Sequence, residues 1–203
     1  MMTFFHAPFS RSTRVLALLR ELGQDGAVDI RITDIPRVDG TGGRDAANPH
    51  PEGKVPLLVH DGVEISETPA IMTYLVDMFP EAGLAPRLGD ADRGRFLTWM
   101  AWYGDVMEPV YCIDAAGVTH PILTATFRGV PEVVARLESA LADGRPWLLG
   151  DRYSAADLLV HSPYAWFRDA TPRAPAVSDW VARCMARPAT AWAAAQDSLA
   201  RAA

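Results

Sequence analysis

Between Gly53 and Tyr74 the chain reads GKVPLLVHDGVEISETPAIMTY, which predicts a strand, a tight turn, a second strand and a helix. Residues 57–60 form a short apolar run, Asp61-Gly62 is a strong signal for a two-residue hairpin turn, and residues 63–66 alternate as a returning strand does. Thr68-Pro69 then predicts an N-cap followed by proline at the first helical position. The stretch therefore predicts an antiparallel hairpin that leads directly into a helix.

The chain before this hairpin predicts a βαβ unit. A short strand at residues 3–7 is followed by a helix that ends at Gly23, and residues 27–35 alternate as a second, parallel strand. Residues 36–53 are rich in Gly, Pro, Asp and Asn and too long for a simple connection, which indicates a binding loop with a helical turn near residues 44–47. With the hairpin and its helix, the pattern is that of a thioredoxin-like α/β domain.

The rest of the chain is helical by periodicity. A proline ends the helix after the hairpin, and the residues that follow have the Gly and Pro content of a linker. Ser154 and Asp157 have the spacing of a capping box at the start of a later helix. We therefore predict an α/β thioredoxin-like N-terminal domain at residues 1–80, a linker at 81–89 and an all-α C-terminal helical domain at 90–203.

Composition argues against several classes of function. The 203 residues are 49% hydrophobic and 22% charged, with a net charge of −6 and an isoelectric point near 5.3. This acidic balance, without any basic run, argues against nucleic acid as a partner. No apolar segment reaches the roughly 18 residues of a membrane span and no signal peptide pattern opens the chain, so we expect a cytoplasmic protein with no membrane partner. Cys112 and Cys184 form no redox motif, and the five histidines lack metal-ligand spacing, so we predict no metal.

Two motifs carry a resemblance to a known family. Lys54-Val55-Pro56 before the hairpin and Glu67-Thr68 after it resemble the glutathione-binding half of the cytosolic glutathione transferases, although Thr stands where the family usually has Ser. Residues 150–157 resemble the Gly-Asp-x-x-Ser-x-Ala-Asp segment of the family's helical core. The resemblance implies a cis Val55–Pro56 bond, backbone pairing of Val55 with the cysteinyl part of glutathione, and Glu67 and Thr68 on the γ-glutamyl end. Lys54 would then hold a glutathione carboxylate, and a solvated surface lysine is its alternative role.

Glutathione chemistry needs a thiolate, and a thiol of pKa near 8.5 is only about 3% ionised at pH 7. Ser10 lies at the start of the first helix, four residues before Arg14, and resembles the catalytic serine of the serine-type, theta-like transferases. Ser12 is the runner-up, and a purely structural N-cap is the alternative role for Ser10. The first strand has no tyrosine and the first helix does not open with a cysteine, so the tyrosine and cysteine types of this chemistry lack their residue.

The resemblance also implies a second substrate and an assembly. In that family the helix after the linker walls the pocket for a hydrophobic electrophile, and Tyr103 and Met107 are our candidates for substrate binding, with burial in the core as their alternative. His50 and Arg11 are expected at the surface, with contact to an anionic ligand from the loop or the first helical turn as the alternative. The resemblance implies a homodimeric glutathione transferase that adds the thiolate to an electrophile. A glutathione-dependent isomerase or dehalogenase and a non-catalytic binding module of the same fold stay open as alternatives.

Overall fold

The computed structural model describes residues 1–202 and divides into two compact units. The first unit comprises Met1–Ala82 and the chain from Ala186 onward, and the second comprises Gly83–Met185. The predicted division into residues 1–80, 81–89 and 90–203 placed the last helix with the helical domain. In the structure that helix packs on the first unit, through contacts that local periodicity does not reveal.

The first unit is built on a four-stranded sheet in the order β2-β1-β3-β4. A parallel β1/β2 pair is joined by helix α1, and β3 and β4 form the antiparallel hairpin that leads into α2. Asp61 and Gly62 at the hairpin turn both have positive φ, 49° and 84°, as a two-residue primed turn requires. The predicted thioredoxin-like α/β arrangement is confirmed. Its elements are β1 (Met2–His6), α1 (Thr13–Glu21), β2 (Asp29–Ile32), β3 (Leu57–His60), β4 (Val63–Ser66) and α2 (Thr68–Met78).

Two local predictions for this unit differ from the structure and a third agrees with it. Helix α2 begins at Thr68 with Glu67 in the N-cap position, so the N-cap predicted at Thr68 lies one residue too late. Strand β2 is shorter than predicted. One turn is present where a helical turn was expected near residues 44–47: Asn48 N donates to Asp45 O at 3.2 Å, and side-chain bonds to Asp34 and Asp45 hold the rest of the loop.

The core of the first unit lies between the sheet and its helices. Phe4, Leu18, Leu57 and Ile71 are completely buried there. The final helix, α9 (Pro188–Ala202), packs against α1. At one end of this contact, Arg187 just before α9 makes a bidentate pair with Glu21, with N–O distances of 2.8 and 2.5 Å.

The second unit is helical, which confirms the predicted all-α part of the chain. Its helices α3 and α4 are separated by a π-helical segment, Tyr103–Met107. Pro109 lacks the N–H that would bond to residue 105 in a regular α-helix, which accounts for the irregularity just before it. No described helix has both the length and the apolar composition needed to cross a membrane. The helices are α3 (Arg93–Trp102), α4 (Glu108–Ala115), α5 (Pro121–Phe127), α6 (Val130–Leu141), α7 (Ala155–Trp166) and α8 (Pro175–Met185).

The predicted capping box is present at the start of α7. Asp157 is fully buried and accepts hydrogen bonds from Ser154 N, Ser154 Oγ, Leu148 N and Trp180 Nε1 at 2.8–3.0 Å. Burial raises the pKa of the Asp157 carboxyl, and the four donors offset part of that rise. This carboxyl therefore ties the start of α7 to α8 and to the loop before α7.

Candidate functional site

The strand register brings the predicted site segments to one end of the sheet. Phe5 near the end of β1 lies opposite Leu57 at the start of β3, and Leu57 lies opposite Ser66 at the end of β4. The residues after β1, before β3 and after β4 therefore leave the sheet at the same end, where neighbouring strands are about 4.8 Å apart. These residues are the segment that contains Ser10, the Val55-Pro56 pair and the Glu67-Thr68 pair.

Two helices start at this end of the sheet. Helix α1 begins at Thr13 and α2 begins at Thr68, and neither carries an acidic residue in its first turn. The first N–H groups of a helix have no partner within the helix, and the helix dipole makes that end positive. An anionic ligand at this end of the sheet would be stabilised by both helices.

The Val55–Pro56 bond is cis, as the resemblance implied. The loop before it is fixed from within: Asn48 Nδ2 donates to Lys54 O at 3.0 Å, and Asn48 Oδ1 accepts from His50 N at 3.1 Å. Gly53 has φ 65° and lies so close to Arg44 that a Cβ would come within 2.8 Å of Arg44 Cγ. The loop therefore holds Val55 in one position beside the start of β3.

His50 is buried within the loop that positions Val55, so its predicted surface position is wrong. Its side chain is 7% exposed, and its Nδ1 accepts from Glu52 N at 3.0 Å. Arg11 is exposed, as predicted.

Glu67 has an unusual backbone conformation. Its φ of 68° and ψ of 123° lie in a region that residues with a side chain rarely adopt. Such a residue carries about 1–3 kcal/mol of strain, and strained residues cluster at ligand sites. The Glu67 side chain is exposed, while that of Thr68 is buried. The strained backbone thus presents an exposed carboxylate directly before the positive end of α2.

Lys54 is exposed and forms an ion pair with Glu52. The bond to the Glu52 carboxylate raises the pKa of Lys54, and the charge of Glu67 adds to the effect. Lys54 therefore remains a cation within electrostatic range of Glu67.

The two candidate serines are joined to each other. Ser10 is half-buried, and its Oγ lies 2.7 Å from Ser12 Oγ. Ser12 occupies the N-cap position of α1 but makes no side-chain cap, because its fully buried hydroxyl lies 2.7 Å from His6 Nδ1 and accepts from Ala7 N at 3.1 Å. Ser10 is thus the serine at the surface, and Ser12 lies behind it.

Behind Ser12 is a buried pair that the sequence prediction missed. His6 Nε2 lies 2.9 Å from Asp197 Oδ1, and the two side chains are 1% and 2% exposed. Asp197 Oδ2 also accepts from Phe9 N at 2.8 Å and from Thr13 Oγ1 at 2.7 Å. Three donors thus compensate the buried carboxylate.

Tyr103 and Met107 both lie in the π-helical segment of the second unit and are completely buried. This burial agrees with the core position given as their alternative, and their role in substrate binding stays a prediction. Within the described residues, no group of three or more His, Cys, Asp or Glu side chains is arranged to hold a metal ion.

Comparison with known proteins identifies both parts of the chain. Residues 4–83 match the family described as glutathione S-transferase, N-terminal domain, and residues 117–188 match glutathione S-transferase, C-terminal domain. Glutathione S-transferase GstA of Escherichia coli O157:H7 is 26% identical over 170 residues, which cover 81% of this chain and 82% of that protein.

Two solved structures are similar over nearly their whole length. A glutathione transferase from Methylococcus capsulatus is 27% identical with a TM-score of 0.80, and the match covers 98% of this chain and 100% of that one. A sphingomonad glutathione S-transferase in complex with glutathione is 28% identical with a TM-score of 0.77, and the match covers 97% and 99% of the two chains.

Proposed function

Since this chain belongs to the glutathione S-transferase family, we propose that it binds glutathione at the end of the sheet where α1 and α2 begin, and activates its thiol. The observation that carries the proposal is the convergence of Ser10, Val55-Pro56 and Glu67-Thr68 at that end, as set by the register of β1, β3 and β4. The glutathione complex of the similar sphingomonad enzyme supports the choice of ligand.

The residues at this end match the functional groups of glutathione. The γ-glutamyl group carries an ammonium and a carboxylate: the ammonium suits the exposed Glu67 carboxylate, and the carboxylate suits Thr68 at the N-terminus of α2. The backbone of Val55 is assigned to the cysteinyl residue. Lys54 is assigned to the remaining carboxylate of glutathione. To bind it, Lys54 gives up part of its ion pair with Glu52.

Activation of the thiol is assigned to Ser10. Lowering the thiol pKa by about two units requires about 2.7 kcal/mol of preferential interaction with the thiolate. A hydroxyl bond directed at the charge, with the positive end of a helix, supplies energy of that order. Ser10 offers both, because its half-buried hydroxyl lies just before α1.

The thiolate is proposed to attack a small hydrophobic electrophile, with Tyr103 and Met107 as the residues assigned to that substrate. We also propose a homodimer. Both matched domains belong to one family, and members of that family form symmetric dimers. Sedimentation of a 22.1 kDa monomer at micromolar concentration would contradict the dimer.

Calorimetry with glutathione, followed by an assay with a generic aryl halide, tests the proposed function. We expect saturable binding, and turnover that Ser10→Ala lowers by about 100-fold while the dissociation constant changes little. If the protein binds glutathione but transfers no aryl group, substrates for isomerisation and dehalogenation are assayed next. Turnover of one of them would favour a glutathione-dependent isomerase or dehalogenase, and no turnover would favour a binding module. Absence of binding would refute the proposal. Ser178→Ala is the matched control, because this serine is half-buried like Ser10 but lies on α8 in the second unit, where its hydroxyl donates to Pro175 O.

A further inference from the structure

A continuous chain of hydrogen bonds leads from the surface serine to a buried carboxylate. Ser10 Oγ, Ser12 Oγ, His6 Nδ1, His6 Nε2 and Asp197 Oδ1 follow one another, with N–O and O–O separations of 2.7, 2.7 and 2.9 Å across the three gaps between side chains. Only Ser10 is partly open to solvent; Ser12, His6 and Asp197 are all buried. We propose that Ser12, His6 and Asp197 form a proton relay that takes up the thiol proton of glutathione through Ser10. This inference rests on the proposed function.

The Asp197 carboxylate at the buried end of the chain of hydrogen bonds determines which atom donates in each bond before the ligand reacts. A carboxylate can only accept, so His6 Nε2 donates to Asp197 and the neutral ring leaves a lone pair on Nδ1. Ser12 then donates to His6 Nδ1 at 2.7 Å, which is shorter than its 3.2 Å separation from Ala7 O. Ser12 Oγ in turn accepts from Ser10. In the resting protein the Ser10 proton therefore points inward, away from a ligand.

Transfer of one proton reverses this direction. The S–H bond of glutathione breaks and its proton passes to Ser10 Oγ, the Ser10 proton passes to Ser12 Oγ, and the Ser12 proton passes to His6 Nδ1. A neutral thiol and a neutral imidazole become a thiolate and an imidazolium, and no oxidant or further reactant is needed. Ser12 now donates to Ser10, and Ser10 donates outward to the thiolate. The transfer thus creates the hydroxyl bond that stabilises the sulfur charge.

Asp197 is the group that makes the transfer favourable. An imidazole is ordinarily a weaker base than a thiolate by about two pKa units, a factor of about 100 in the equilibrium constant. A neighbouring carboxylate stabilises an imidazolium, and the positive start of α1 stabilises the thiolate. Asp197 is itself held in place by Phe9 N and Thr13 Oγ1. His6 and Asp197 act through Ser10 and are positioning residues, and Asp197 comes from the opposite end of the chain.

The number of protons released on binding tests the relay. At about pH 7 the thiol of free glutathione is almost fully protonated. Calorimetry in buffers of different ionisation enthalpy then counts the protons that reach the buffer when the thiol ionises. S-methylglutathione has no thiol proton and supplies the baseline. The relay predicts that the wild-type protein releases nearly the same number of protons with both ligands, because the thiol proton stays on His6.

His6→Gln is the decisive variant, because glutamine can still donate to Asp197 but cannot take up a proton. Compared with the wild-type protein, this variant should release up to one more proton to the buffer when it binds glutathione. With S-methylglutathione it should release no more protons than the wild-type protein does. Nitrogen NMR of the His6 ring gives an independent readout: a neutral ring with its proton on Nε2 in the free protein and an imidazolium in the glutathione complex. Release of about one proton by the wild-type protein, or a ring that stays neutral in the complex, overturns the relay alone. Failure of both ligands to bind refutes the proposed function as well.

Discussion

Replacing the strained Glu67 should separate stability from glutathione binding. Glu67 has φ 68° and ψ 123° and an exposed side chain, so both Glu67→Ala and Glu67→Gly remove little packing. Alanine keeps the strain of about 1–3 kcal/mol, whereas glycine relieves it. Glycine also costs about 0.5–1 kcal/mol through the greater entropy of the unfolded chain. We therefore expect the glycine variant to be more stable than the alanine variant by about 1 kcal/mol.

Urea unfolding of the two variants measures this difference, and Glu64 provides the matched control. Glu64 is exposed in β4 and has an ordinary strand conformation, so Glu64→Gly should be less stable than Glu64→Ala by about 0.5–1 kcal/mol. The sign of the difference should thus be opposite at the two positions. Both Glu67 variants should also bind glutathione more than tenfold more weakly, because both lack the carboxylate. If glycine is as destabilising at Glu67 as at Glu64, the strain argument is wrong.

Three further predictions concern single side chains. Lys54→Ala should weaken glutathione binding about 2–5-fold and reduce its salt dependence, as expected for an exposed ion pair; an unchanged dissociation constant by calorimetry would leave Lys54 without a role in the site. Ser154→Ala should lower the free energy of unfolding by about 1–2 kcal/mol, because Asp157 loses one donor and α7 loses its cap; an unchanged denaturation midpoint would contradict this. The Asp143 carboxyl has its pKa lowered to about 2, chiefly by a side-chain hydrogen bond from Arg145. Its stabilising effect is therefore present above pH about 4 and lost as the pH falls toward 2. Arg145→Ala should return the Asp143 pKa toward 3.8 in a carbon NMR titration, and a value that stays near 2 would exclude Arg145 as the cause.

The sequence predicts the hairpin and the capping box well because their signals are local. Asp61-Gly62 requires positive φ at both residues, and Ser154 with Asp157 has a fixed three-residue spacing. Each of these signals is sufficient without knowledge of the rest of the chain. The fold class could therefore be predicted from periodicity and turn residues alone.

The support of the candidate site could not be predicted in the same way. His6 and Asp197 are 191 residues apart, and nothing in the alanine-rich pattern of α9 marks Asp197 as buried. His50 was expected at the surface, yet its ring is buried and accepts a hydrogen bond from Glu52 N. Both errors come from polar side chains that satisfy buried partners, for which hydrophobic periodicity carries no signal.

Ultraviolet titration of the glutathione complex measures whether Ser10 stabilises the thiolate of the bound ligand. In the wild-type protein we expect the bound thiol to have its pKa lowered by about two units from the 8.5 of a free thiol. Ser10→Ala should return the pKa most of the way to 8.5 and weaken glutathione binding at pH 7 by no more than about fourfold, while Ser178→Ala should have no effect. A bound thiol whose pKa is the same with and without the Ser10 hydroxyl would show that Ser10 does not stabilise the thiolate.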